Sequence, residues 1–155
     1  MIEPKLLELM PKKLVGINLE MSLADNKTQK LWQTFMPRLS EVENRVGTDF
    51  FSLQVFPENH FRNFSPTNRF TKWALVEVSG FDTIPSGMES FELEGGKYAV
   101  FHLKGMDMSI FQYIYGEWIH QSEYSLDNRP HFEVLGEKYK NGSPDSEEYI
   151  YIPIN

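Results

Sequence analysis

The alternation of apolar and polar positions divides the chain into two stretches of the same order. Pro11-Lys12-Lys13-Leu14-Val15-Gly16-Ile17 opens an extended apolar run from a turn residue. Leu31, Trp32, Phe35 and Leu39 then recur at helical spacing, with Asp25 or Asn26 placed to cap the helix. Pro37 falls inside that stripe and predicts a short or kinked helix. Phe50 to Phe56 and Phe70 to Val78 read as strands. Between them, Pro57, Asn59, Asn63, Pro66 and Asn68 supply turn chemistry.

The order then repeats. Gly95-Gly96-Lys97-Tyr98-Ala99-Val100-Phe101 opens a strand after a turn, and Lys97 stands 84 positions after Lys13. Ile110, Phe111, Ile114, Tyr115 and Trp118 form one helical stripe, followed by strand-like runs from Phe132 to Leu135 and from Tyr149 to Ile154. Each half, about 1–80 and 85–155, reads strand–helix–strand–strand within a single domain over 1–155. Such a unit closes its own core poorly. Two units around a pseudo-twofold would pool their strands into one antiparallel sheet, with both helices on one face and a central ligand cleft. The expected class is α+β.

Composition narrows the partners. The net charge of −7 argues against direct nucleic-acid binding, because phosphate contacts need a basic face and the 15 basic residues are scattered. The absence of cysteine excludes disulfides and thiolate chemistry. No run approaches the ~20 apolar residues of a membrane span, and no secretory leader is evident, so a cytoplasmic location is expected. His60, His102, His120 and His131 show no metal-ligand pairing, and neither a cofactor nor a metal is expected. Gly95-Gly96-Lys97 is a turn and not a phosphate loop, and Ser86-Gly87-Met88-Glu89-Ser90 lacks the glycines of a nucleophile elbow. Asp145, Glu147 and Glu148 read as a solvated acidic turn.

Four stretches carry a family resemblance. Leu31-Trp32-Gln33-Thr34-Phe35-Met36-Pro37-Arg38-Leu39 resembles the first-helix signature of GyrI-like, or AraC-type, effector-binding domains. Val76-Glu77-Val78 to Pro85-Ser86-Gly87-Met88 is similar to their strand and connecting turn, and Gly95 to Phe101 to their second-half opening. Tyr113-Ile114-Tyr115-Gly116-Glu117-Trp118, Phe132-Glu133 and Tyr151-Ile152-Pro153-Ile154 resemble their C-terminal half. The resemblance implies a duplicated β-α-β-β fold whose cleft takes hydrophobic, often cationic, small molecules, as in multidrug binding. Members serve as sensor domains of transcription regulators, as stand-alone binding proteins, as gyrase inhibitors, or as hydrolases of strained cyclopropane-bearing compounds. Leu75 replaces a usual glycine and Leu135 a usual tyrosine, which alters the pocket.

The resemblance places the family's pocket glutamate at Glu133. Strand alternation sends Glu133 to the face opposite Phe132 and Val134, where a carboxylate could pair with a ligand cation or, with a raised pKa, act as an acid or base. Tyr115 and Trp118 on the second helix are candidate ring platforms, with Trp73 and Tyr151 as strand aromatics of weaker claim. The leading expectation is non-catalytic binding of a small organic ligand. The hydrolytic alternative needs Glu133 with a pocket tyrosine such as Tyr115 or Tyr151. A chain of 155 residues leaves no room for a helix-turn-helix arm, so transcriptional control is expected to need a separate regulator, or gyrase, as partner.

Overall fold

The computed structural model describes residues 2–105 and 107–155; Met1 and Met106 lie outside the described residues. Eight strands form one antiparallel sheet: β1 (Lys5–Leu9), β2 (Lys12–Met21), β3 (Arg45–Val55), β4 (Phe70–Val78), β5 (Glu89–Leu93), β6 (Gly96–Lys104), β7 (His131–Leu135) and β8 (Glu147–Pro153). Their order across the sheet is β1-β6-β8-β7-β3-β4-β2-β5. The first helix, α1 (Thr28–Phe35), begins where Asn26 Oδ1 accepts the Thr28 backbone N–H at 2.9 Å. As Pro37 predicts, it tightens into a 3₁₀ turn, Met36–Glu41. The second helical segment runs through α2 (Ser109–Tyr113), a π turn (Ile114–Trp118) and α3 (Ile119–Gln121).

Two strands were not legible in the pattern. β1 and β5 are short edge strands with mostly exposed residues, so neither shows a continuous apolar signal. They also cross between the halves: β1 pairs with β6, and β5 pairs with β2. Leu9 pairs with Gly96 and Lys12 with Leu93; a shift of 84 residues carries Leu9 onto Leu93 and Lys12 onto Gly96. The spacing of Lys13 and Lys97 is therefore a true repeat of the sheet. β3 also starts five residues before the apolar run does, because a register shift between Arg45 and Phe50 inserts a polar, bulged entry.

The helices cover one face of the sheet in two separate places. Leu31 and Phe35 of α1 pack on Val15 of β2 and on Ala74 and Val76 of β4. Ile110, Ile114, Trp118 and Ile119 pack on Ala99 and Phe101 of β6 and Ile150 and Ile152 of β8. The opposite face carries its own apolar layer, including Leu14, Phe51, Leu53, Tyr98 and Phe132. The central pair, β3 and β7, thus lies between the two helices on the helical face. That gap is the cleft.

Gly16 shows how closely the strands approach. A Cβ at this position would meet the Ala74 carbonyl oxygen and carbon and the Leu75 Cα, all of them backbone atoms that cannot swing away. Gly16→Ala is expected to cost roughly 1–3 kcal/mol, the usual scale of overpacking. Urea unfolding measures this, and an unchanged midpoint would contradict the close approach.

Candidate functional site

The β3–β7 ladder sets the floor of the cleft. Ser52 pairs with Glu133 and Gln54 with His131. Alternation turns these four side chains to the helical face and sends Phe51, Leu53, Phe132 and Val134 to the other. A cavity of about 1070 Å³ opens above Ser52 and Glu133, the two of the four that line it. Trp32 and Met36 supply one wall, Phe50, Ser52 and Glu133 the floor, and Lys72, Tyr139 and Glu148 the flanks. A smaller groove of about 300 Å³ runs past Glu20 and Arg69, but those two already pair at 2.6 Å and offer no free charge.

Burial determines the electrostatics. Desolvation raises the Glu133 pKa, opposed by the Lys72 charge and by the Gln54 amide. With its nitrogen turned inward, Gln54 donates to Glu133 Oε2 at 3.1 Å and to the His131 carbonyl at 3.0 Å. Glu148, only 7% exposed, is pushed up to about 7 by burial and then by the Glu133 charge, with Lys72 opposing. Glu133 pairs with Ile150, so Glu148 is its diagonal neighbour on the same face. Burial, then Glu148 and Glu133, also raise the Tyr139 phenol. The floor therefore holds two carboxyl groups that resist ionising together, answered by one lysine.

The sequence candidates separate cleanly. Glu133 lines the cleft. Tyr115 lies near enough for the Glu133 charge, after burial, to raise its pKa well above the ordinary value. Its hydroxyl shares a hydrogen bond of 2.8 Å with His131 Nδ1; burial, then His60 and Arg129, lower His131 to about 3, so the ring in this bond is neutral. The Tyr115 ring is already stacked on Phe61 at 4.9 Å and 15°, so one of its faces is occupied. Trp118 packs edge-on against Phe101 in the core beneath the helix. Trp73 and Tyr151 sit on the opposite sheet face, Trp73 against Phe91 and Tyr151 stacked on Phe132 at 4.6 Å. Strand parity puts these two where Glu133 is not, and they do not reach the cavity.

What pattern reading missed are Trp32, Lys72, Tyr139 and Glu148. Of the acidic turn expected at Asp145, Glu147 and Glu148, Asp145 lies in an exposed turn and the rest is corrected: Glu147 and Glu148 open β8, Glu147 pairs with His102 at 2.8 Å, and Glu148 faces inward. A signal for it existed. Glu148 shares parity with Ile150 and Ile152, and Lys72 with Ala74 and Val76, so each is a charge at a core-facing position. Trp32 stands in the α1 stripe, whose spacing predicts a helix and does not by itself single out a site residue. In the structure it meets Phe50 edge-on at 5.9 Å and lines the cavity.

Because the folded protein holds Glu148 near 7 while an unfolded glutamate titrates near 4.3, the native state binds more protons between these values. Stability should therefore fall as pH rises from about 4.5 through about 7, and Glu133 acts in the same direction. Glu148→Gln is expected to remove much of that slope and to raise the melting temperature at pH 8 by roughly 3 °C. Thermal melts of both proteins across pH 5–8 measure it; parallel curves would place Glu148 in water.

With the geometry in hand, the relatives can be set beside it. The model of the integron-associated effector binding protein family, Cass2, matches residues 5–154. The transcriptional regulator BrlR of Pseudomonas aeruginosa is 27% identical over 144 residues, covering 90% of this chain and 51% of BrlR. The chain thus spans about half the length of that curated relative. SAV2435, solved bound to tetraphenylphosphonium, superposes with a TM-score of 0.71 at 18% identity, over 99% of this chain and 94% of that one. The EcmrR C-terminal domain gives 0.69 at 16% identity, over 100% and 98%. At these identities the two structures speak for the fold alone. The match over residues 5–154 establishes that the chain belongs to the integron-associated effector-binding family and has the GyrI-like effector-binding fold.

Proposed function

We propose that the protein binds a hydrophobic organic cation in the cleft between α1 and the β7–β8 loop. The observation that carries this is the nearness of Glu133 and Glu148, a half-buried and a buried carboxyl lining a cavity about 1070 Å³ in volume, beside Trp32 and Phe50. A desolvated carboxyl is held at a cost, and a cation that arrives without its water relieves that cost. Ring faces on the wall supply area and cation–π attraction. The tetraphenylphosphonium bound by SAV2435 is a molecule of this class, delocalised and rich in rings. A net charge of −7 opposes a direct grip on nucleic acid by these residues, so any effect on transcription or on gyrase passes through another domain or protein.

A hydrolytic reading has one observation in its favour. Tyr139 lines the same cavity as Glu133 and Glu148, which sets a phenol beside two carboxyls in place of the tyrosine that Leu135 replaces. General acid–base assistance of this kind supplies about 10²–10⁴-fold. Ring opening of a cyclopropane-bearing electrophile that is lost in Tyr139→Phe, with cation binding retained, would establish it.

The binding test uses tetraphenylphosphonium and the neutral triphenylphosphine oxide, read by quenching of Trp32 fluorescence. The cation is expected to bind and the neutral compound to bind far more weakly. Glu133→Gln should weaken the cation about tenfold or more, because the amide cannot offset its lost hydration. Equal affinity of the cation for both proteins would remove Glu133 from the site.

A further inference from the structure

A cleft built only for cations gains nothing from Lys72 beyond the charge that partly offsets Glu133 and Glu148. Lys72 nevertheless lines the same cavity as Glu133 and Glu148. Among the described residues it makes no salt bridge and no side-chain hydrogen bond, whereas Lys12, Lys27, Arg38, Arg69 and Arg129 each hold a carboxylate. A half-buried ammonium without a partner is penalised by its lost water, and for a simple cation it is also repulsive.

Its position is set by the repeat. One row of the sheet runs Ala74–Ser52–Glu133–Ile150 across β4, β3, β7 and β8, with the pseudo-twofold between Ser52 and Glu133. Lys72 stands two residues before Ala74 and Glu148 two residues before Ile150, so they occupy equivalent places in the two halves. The duplication has thus put opposite charges at matched ends of one floor. From Lys72 to Glu133 is two strands across and one row along, roughly 12 Å between Cα atoms at ~4.8 Å per strand and ~3.4 Å per residue. That is the length of a molecule of two or three rings.

Resting on the cation reading above, we infer that the cleft selects aromatic zwitterions: a protonated or delocalised nitrogen at Glu133 and Glu148, an acidic group such as a carboxylate at Lys72, and a ring system against Trp32 and Phe50. Lys72 is then the specificity-determining residue. It taxes a bare cation and rewards one whose far end is acidic. A carboxylate at Lys72 gains a charge-assisted contact that its ester cannot make.

Rhodamine 110 and rhodamine 123 test this directly, since they share one cationic xanthene and differ only in a free carboxylate against its methyl ester. Fluorescence anisotropy at pH 7.5 should show the acid bound about tenfold or more tightly than the ester, the scale of one charge-assisted contact. Lys72→Met should abolish that preference and tighten the ester, while Lys72→Arg, which keeps the charge, should preserve it. The inference is overturned if the unaltered protein binds the ester as tightly as the acid, or if Lys72→Met strengthens both dyes alike. In those cases Lys72 only balances charge and cation binding itself still stands. Binding of neither dye overturns the inference together with the cation reading beneath it.

Discussion

The β3–β7 ladder is the element on which the cleft depends. It joins the two halves of the chain at the pseudo-twofold, pairing Ser52 with Glu133 and Gln54 with His131. Each helix packs over its own half, α1 on β2 and β4, the second on β6 and β8, and only side chains such as Tyr115 reach toward the seam. Duplication of a helix-on-sheet unit therefore produces a groove at its junction without any residue being set aside to form it. Strand parity then decides what the groove contains. It puts Glu133 up and Phe132 down, and Phe132 joins Tyr98 and Tyr151 in the apolar layer that seals the other face.

A half-buried carboxyl needs support, and Glu133 receives little. Gln54 gives Glu133 a hydrogen bond, and Lys72 gives it an opposing charge without a salt-bridge contact. Glu148 opposes it from the diagonal position. A floor whose charges are incompletely answered is costly for folding and well suited to recognition, because a ligand cation supplies the missing partner. On the far side, Phe61 from the β3–β4 loop stacks on both Tyr115 and His131, while the α1 side stays open. The two halves of the cleft are equivalent in topology and unequal in occupancy.

Much of this was legible in the chain. The period of Leu31, Trp32 and Phe35, the break at Pro37, the strand from Phe70 to Val78 and the 84-residue repeat all appear in the structure. The strands that escaped are β1 and β5, whose partners lie in the other half and whose exposed residues leave little pattern. Among site residues, Glu133 was reached through family resemblance. Trp73 and Tyr151 were chosen for their rings, and ring identity does not reveal which face a strand residue takes; Trp118, on the helical stripe, packs into the core against Phe101. Lys72 and Glu148 could have been found by asking which charges share parity with core residues, since an inward charge is rarer than an inward aromatic.

The central claim is that a ligand cation answers the incompletely compensated carboxyls of Glu133 and Glu148. Such a cation must lower their pKa values, and with Glu148 near 7 it must drive off protons at neutral pH. Isothermal titration of tetraphenylphosphonium at pH 7 in buffers of different ionisation enthalpy measures the protons released. The account predicts release of a substantial fraction of a proton per cation bound, lost when both residues are changed to glutamine. A binding heat independent of the buffer would contradict it.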